Sequence, residues 1–370
     1  MKRDCFNLLC QRIIVCVGEA KFKSEAYIDA FLKGKDQMYD ANVKTTGGYI
    51  AGEVKVAITL RLLGGGDALD LAVIFDIEPC HCRKIMFDVL QNWVIKGDIG
   101  DLKMLEYLGD ERAMAKVSHG FAKRSGGILV GAIGALDGWV VRIVRPGWID
   151  AIKNPMSFFS RKGFYALNVQ CIVDDKKRVI WASYSHKGGS HDSSCFKETK
   201  LYQKLINMQD RLLQLGYFIL GDSAYSTRSF LLVPYDSASP YTSEDDFNFY
   251  HSSARITVEC AFGEIDLRWG IFWKRLTCSL DNSALIVEGA MRIHNYLVDY
   301  REANNCKSEA QIDKYIFEQG CDDTGAASMV VGNDVFNIRG RPTNVEKDER
   351  LNALKLRDTL RMSLKDHGMR

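Results

Sequence analysis

From Gly47 to about Lys96 the apolar positions fall at helical spacing, and after Ser125 they shift to short runs rich in β-branched residues and separated by turns. VKVAITLRLL predicts a helix that stops at Gly64-Gly65-Gly66. Asp67 is placed to cap a short helix, ALDLAVIF, and after Asp76-Ile77 the segment EPCHCRKIMFDVLQNWVIK predicts another, with Pro79 in its first turn. A short helix, a tight turn and a longer helix make a helix-turn-helix pattern over residues 47–100. Its second helix carries His81, Arg83 and Lys84 near the N-terminus, where a recognition helix meets base edges and phosphates. A purely structural helical bundle has the same pattern.

The glycine-marked stretch SGGILVGAIGALDG opens the second regime. GILVGAIGALD predicts a strand ending at Asp137, FYALNVQCIVDD (164–175) and RVIWASYS (178–185) a hairpin, CFKETKLYQKLI an amphipathic helix, and YFILGD (217–222) a further strand. This order of strands and helices predicts a mixed α/β sheet with helices packed on it. Pro234, Pro240 and Glu244-Asp245-Asp246 predict a long loop between Leu231 and Ala254, and the helix RITVECAFGEIDLRW (255–269) follows it. A second helical run, residues 282–304, closes the unit. Residues 1–46 define no clear unit, and the tail from 301 to 370 ends in a basic amphipathic helix: its last 30 residues hold eight Lys/Arg against five Asp/Glu. A solvated tail helix and one that contacts nucleic acid both fit that pattern.

The whole-chain charge adds little, since a net +2 over 370 residues allows only a local basic face. Eleven scattered cysteines, many in apolar runs, favour buried reduced thiols inside the cell over a disulfide framework. Cys80-His81-Cys82 lacks the second pair of ligands a zinc site requires. No apolar run reaches the roughly 20 residues needed to cross a bilayer, and Gln11 and Arg12 interrupt the apolar start where a signal peptide is continuous.

The chemistry lies in the acids. Asp137 and Asp222 each end a predicted apolar strand with no basic neighbour in sequence, and a buried carboxylate costs several kcal/mol unless something pairs with it. An aspartate in a turn beside glycine accounts for either one alone. Together, 85 residues apart in one sheet, they can face each other, and a helix carboxylate packed across that rim completes three oxygen donors able to hold divalent cations. On RITVECAFGEIDLRW, at about 100° per residue, Val258, Phe262, Ile265 and Trp269 form one apolar stripe. Glu259 and Asp266 border it, and Glu264, roughly 140° from Glu259, is expected on the solvated side.

These residues resemble the PIF/Harbinger transposases and their domesticated, nuclease-like relatives within the DDE superfamily. The resemblance covers roughly 126–300 and rests on GAIGALDG, GGSHDSSCF, YFILGDSAY and FNFYHSSARITVECAFGEIDLRW, in order. It assigns the three acids to Asp137, Asp222 and Glu259, the last 37 residues after the second. It implies an RNase H-like nuclease domain preceded by a helix-turn-helix, a nuclear location, and metal-dependent cutting and joining of transposon ends into target DNA. Two Mg²⁺ (or Mn²⁺) ions per site are implied, with Asp137 bridging them. A Myb-like DNA-binding partner and a homo-oligomer also follow from the likeness, with no membrane association.

Arg255, one turn before Glu259, is placed to orient that carboxylate or touch a phosphate, and His191, Asp192 and Asp266 are further candidates for support. Ser190, His191, Asp192 and Ser193 adjoin in one turn and so cannot converge as a hydrolase triad. One departure from the family stands at Trp139, where many relatives carry threonine: its indole either narrows access for DNA or packs under the sheet. The alternative to a nuclease is a catalytically silent, transposase-derived protein that binds DNA or chromatin.

Overall fold

The computed structural model describes residues 9, 50–147, 150, 152–303 and 352–362. Apart from Leu9, the expected N-terminal segment 1–46 lies outside the described residues, as does the tail between 304 and 351. Near the N-terminus, α1 (Gly52–Leu63) stops at Gly64, and α2 (Ala68–Phe75) is capped by Asp67, whose carboxylate accepts the Leu69 N–H at 2.7 Å. Asp76 adopts a left-handed conformation that turns the chain into α3 (Pro79–Asp88), continued as a π-helical stretch over Val89–Ile95. A short α4 (Met104–Tyr107) follows. Glu111–Arg124 forms a further amphipathic helix, α5, beyond those predicted.

The sheet comprises β1 (Ala132–Arg142), β2 (Ala166–Val173), β3 (Val179–Lys187), β4 (Phe218–Gly221) and β5 (Leu231–Leu232), in the order β3-β2-β1-β4-β5. β1, β2 and β3 pair antiparallel, and β4 and β5 add in parallel on the other side of β1. The predicted hairpin is present. So is the helical segment after it, divided into α6 (Asp192–Lys197) and α7 (Lys200–Leu215) where the Thr199 hydroxyl accepts the Tyr202 N–H and starts a new helix.

Alternation along the strands gives the sheet two apolar faces. Leu136, Ile172 and Ile180 pack with Phe196 and Leu205 of α6 and α7, and Trp139, Val169 and Cys171 pack on the opposite side. That opposite face is covered by α8 (Ser243–Arg268) and α9 (Leu280–Ala303), and its core continues without a break into Val56, Leu63, Ile85, Leu90 and Trp93 of the N-terminal helices. The backbones of Gly65 and Gly270 nearly touch, for a Cβ at Gly65 would lie 3.0 Å from the Gly270 carbonyl carbon.

Three expectations need correction. β1 runs five residues past Asp137, because β2 supports it as far as Arg142 after β4 has ended. α8 begins at Ser243, not at Arg255: the Thr242 hydroxyl caps it, and Glu244, Asp245 and Asp246, expected in a loop, fill a first turn where the helix dipole favours acids. The basic tail helix, α10 over residues 352–362, is docked rather than free. Ala353 is buried, and the Arg357 guanidinium lies 3.7 Å over the Tyr235 ring and donates to the carbonyls of Val233 and Pro234.

Candidate active site

Strand register places the first two acids together. Leu136 pairs with Gly221 across the parallel β1 and β4, so Asp137 and Asp222 are the next residues on neighbouring chains. β4 stops at Gly221, and the chain turns away with the Asp222 side chain accepting the Ala224 N–H at 3.0 Å. Asp137 accepts the N–H of Gly138 at 2.8 Å and lies opposite Cys171 of β2. One acid is held within a strand and the other at a strand end.

α8 brings the third. Arg255 reaches Asp137 at 3.2 Å with one terminal nitrogen and Glu259 at 2.6 Å with the other, so a single guanidinium joins the first acid to the helix acid. Glu259 remains half-exposed. Further along the helix, Trp139 packs under α8 against Phe262, with ring centroids 5.8 Å apart, and edge-on against Phe272. Of the two sequence alternatives for this indole, the structure selects packing. The Trp139 indole also hydrogen-bonds the Asp266 side chain, which burial raises to about 6 despite this bond and the nearby Lys162.

Glu264 is not solvated. Its side chain is 1% exposed and meets Lys177 at 3.2 Å and Arg301 at 2.8 Å. The expectation failed because it gave the helix a single buried stripe, whereas α8 is covered on a second side by α9 and the β2–β3 turn. Burial alone would raise this carboxyl, but His294, Arg301 and Lys177 around it bring it down to about 2.

On the other face of β1, Asp192 lies against Gly138, where a Cβ would come 2.4 Å from its carboxylate. Asn168 and Gln170 both donate to that oxygen, at 2.7 and 2.9 Å, and the Tyr225 hydroxyl donates to Gln170 at 2.7 Å. His191, just before α6, is contacted by Arg161. The motif HDSS thus supports the site from beneath, through Asn168, Gln170 and Tyr225, which the sequence reading missed. For Asn168 and Gln170 the one signal was polarity inside an otherwise apolar strand; Tyr225, in the turn after β4, carried none.

The electrostatics are those of crowded carboxylates. Burial raises Asp137 to about 6, with Asp222 and Glu259 adding to it and Arg255 opposing. Asp222 is likewise raised, first by burial and then by Asp192 and Glu259. Three carboxylates are in kind the donors of a hard divalent cation, and the raised Asp137 marks negative charge that Arg255 offsets only in part. In arrangement, no three His, Cys, Asp or Glu side chains among the described residues are set to hold a metal, and Arg255 is the cation between Asp137 and Glu259. Cys80 and Cys82 form no such cluster either.

Arg83 and Lys84 are exposed on the first turns of α3, and His81 is partly buried. No helix among the described residues is long and apolar enough to cross a membrane.

Residues 136–295 match the family model described as DDE superfamily endonuclease. The chain is also similar to a protein of Arabidopsis thaliana described as "Protein ALP1-like", with 22% identity over 305 residues that cover 76% of this chain and 69% of that one. No solved structure matches.

Proposed function

We propose that the protein, whose residues 136–295 match the DDE superfamily endonuclease model, is a transposase-derived nuclease that hydrolyses DNA phosphodiester bonds, with Asp137, Asp222 and Glu259 as its catalytic acids. One observation carries this reading: two aspartates adjacent across parallel strands, with the helix glutamate tied to the first through Arg255. The sheet order, an antiparallel hairpin on one side of β1 and parallel strands on the other, supports the RNase H-like assignment. Arg83 and Lys84, exposed on the second helix of a helix-turn-helix arrangement, support DNA contact there.

Divalent ions bound by the three carboxylates would supply an activated water and stabilise the leaving 3′-oxygen. The protein's own groups set the geometry. Asp137 and Asp222 are partly buried, which limits their contact with bulk water, and the Asn168, Gln170 and Tyr225 network fixes the strand under Asp137. Arg255 holds Asp137 and Glu259 in one place while the site is free. Were those carboxylates to hold a cation instead, the Arg255 guanidinium would be free to take a phosphate oxygen. Strand transfer to target DNA, a Myb-like partner and a nuclear location extend the same reading.

The test is nicking of DNA that carries the flanking terminal repeats, in Mg²⁺ or Mn²⁺. Wild-type protein is expected to cut, and Asp137→Ala and Asp222→Ala to fall to background while melting as folded proteins. Undiminished nicking by Asp137→Ala would remove it from the site. The arrangement of Arg255 between two of the acids favours a second reading, a DNA-binding protein that no longer cuts. That reading predicts salt-dependent DNA binding with neither calorimetric metal binding nor cleavage.

A further inference from the structure

The chain leaves α8 through a 3-10 turn, Gly270–Trp273, in which two aromatic neighbours point opposite ways. Phe272 is buried against Trp139, whereas Trp273 is 66% exposed. One exposed aromatic is ordinary, but this one is held in place. Its indole N–H donates to the Asp266 carbonyl at 2.7 Å, which fixes the edge of the ring. Three residues on, Leu276 donates to Arg142 at 3.0 Å and accepts from Val144 at 2.9 Å, which anchors the following chain beside the end of β1.

The flanks are positive. Lys274 and Arg275 are exposed immediately after the indole, and Lys162 is exposed near enough to act on the Asp266 carboxylate. The nearby Asp266 carboxylate is engaged by Trp139 and Lys162. Seven residues of helix separate Glu259 from Asp266, about 10 Å along the axis, or roughly three nucleotide steps of a DNA strand. A fixed aromatic face among basic side chains is the arrangement on which single-stranded bases stack, because every base offers a π-face and every phosphate a charge.

We infer that Trp273 is a stacking platform for an unpaired base of the DNA strand that enters the carboxylate site, with Lys162, Lys274 and Arg275 on the adjoining phosphates. This rests on the nuclease reading and adds to it a preference for DNA opened next to the cut. The indole receives the unpaired base before any bond is broken, so the preference is a property of binding and not of chemistry.

The experiment therefore uses metal-free protein in EDTA. The probes are a fluorescein-labelled duplex and the same duplex splayed over about three nucleotides at one end, with 2-aminopurine in the unpaired strand. Wild-type protein is expected to bind the splayed form more tightly and to quench the 2-aminopurine. Trp273→Ala should lose about tenfold in affinity for splayed DNA, and the quenching with it, while binding intact duplex as before. Trp273→Phe should retain most of both. An alanine variant that melts like wild type and still prefers and quenches splayed DNA overturns the platform. If wild-type protein binds neither DNA, the nuclease reading falls together with this inference. If it binds DNA here and nicks it in a parallel assay with Mg²⁺, while the alanine variant matches it throughout, the platform alone falls.

Discussion

A carboxyl that burial raises to about 6 is held, at neutral pH, in the charged form its surroundings disfavour, and for Asp137 that conflict reaches the stability of the whole fold. Its ordinary value is 3.8, so between about pH 4 and 6 the folded state binds more protons than the unfolded one and stability falls as pH rises. Asp137→Asn removes this term. The metal-free variant is expected to melt like wild type near pH 4 and to gain on the order of 1–2 kcal/mol above pH 6, read from thermal melts across that range. Glu264 has the opposite sign. Its pKa is depressed from 4.5 to about 2, so its contribution is full above about 4.5 and is lost as pH falls toward 2. Glu264→Gln leaves Lys177 and Arg301 charged and largely buried, at an expected cost of about 3–5 kcal/mol in urea unfolding at pH 7. A cost below 1 kcal/mol would mean that water reaches those cations.

Among the elements, α10 acts at a distance from its own chain position. Arg357 caps the carbonyls of Val233 and Pro234, Asp358 accepts the Tyr235 hydroxyl at 2.6 Å, and Arg361 lies 3.5 Å from Glu244 at the start of α8. The tail helix therefore braces the loop from which α8 departs. Arg357→Ala is expected to cost about 1–3 kcal/mol and to raise amide exchange over residues 233–242 before it affects the sheet. Sequence pattern made the hairpin, β4 and the N-terminal helices legible, because each is a regular apolar run or stripe between clear turn signals. It was misled where a local signal met a tertiary one. Glu244-Asp245-Asp246 looked like solvated loop and proved to be a capped first turn, and Glu264 looked solvent-facing until a second covering surface was present. β5 is only two residues long and carries no periodicity of its own. For the site, strand endings drew attention to Asp137 and Asp222, helix geometry narrowed the helix acids to Glu259 and Asp266 with Arg255 one turn before, and the family resemblance chose Glu259. The Asn168, Gln170 and Tyr225 network depends on strand pairing, which a single strand's pattern does not contain.

At the scale of the molecule, the helices that carry Arg83 and Lys84 and the sheet that carries Asp137 share one apolar core. Leu90 shows how tightly: a Cβ added to Gly289 of α9 would lie 2.6 Å from its side chain. The two regions are therefore expected to unfold in one transition, followed equally by tryptophan fluorescence and far-ultraviolet dichroism. Leu90→Ala should lower that transition by about 2–5 kcal/mol without splitting it, and two separate melts would show independent units. The contact of Gly65 with Gly270 ties the turn after α1 to the end of α8, main chain against main chain. Two surfaces joined by a pair of missing side chains cannot be exchanged singly. A chimera that takes its N-terminal helices from a relative must bring a glycine to the Gly65 position and keep the one at Gly270. The N-terminal helices and the sheet that carries Asp137 are thus constrained to diverge in step, a limit on shuffling that an ordinary flexible linker would not have imposed.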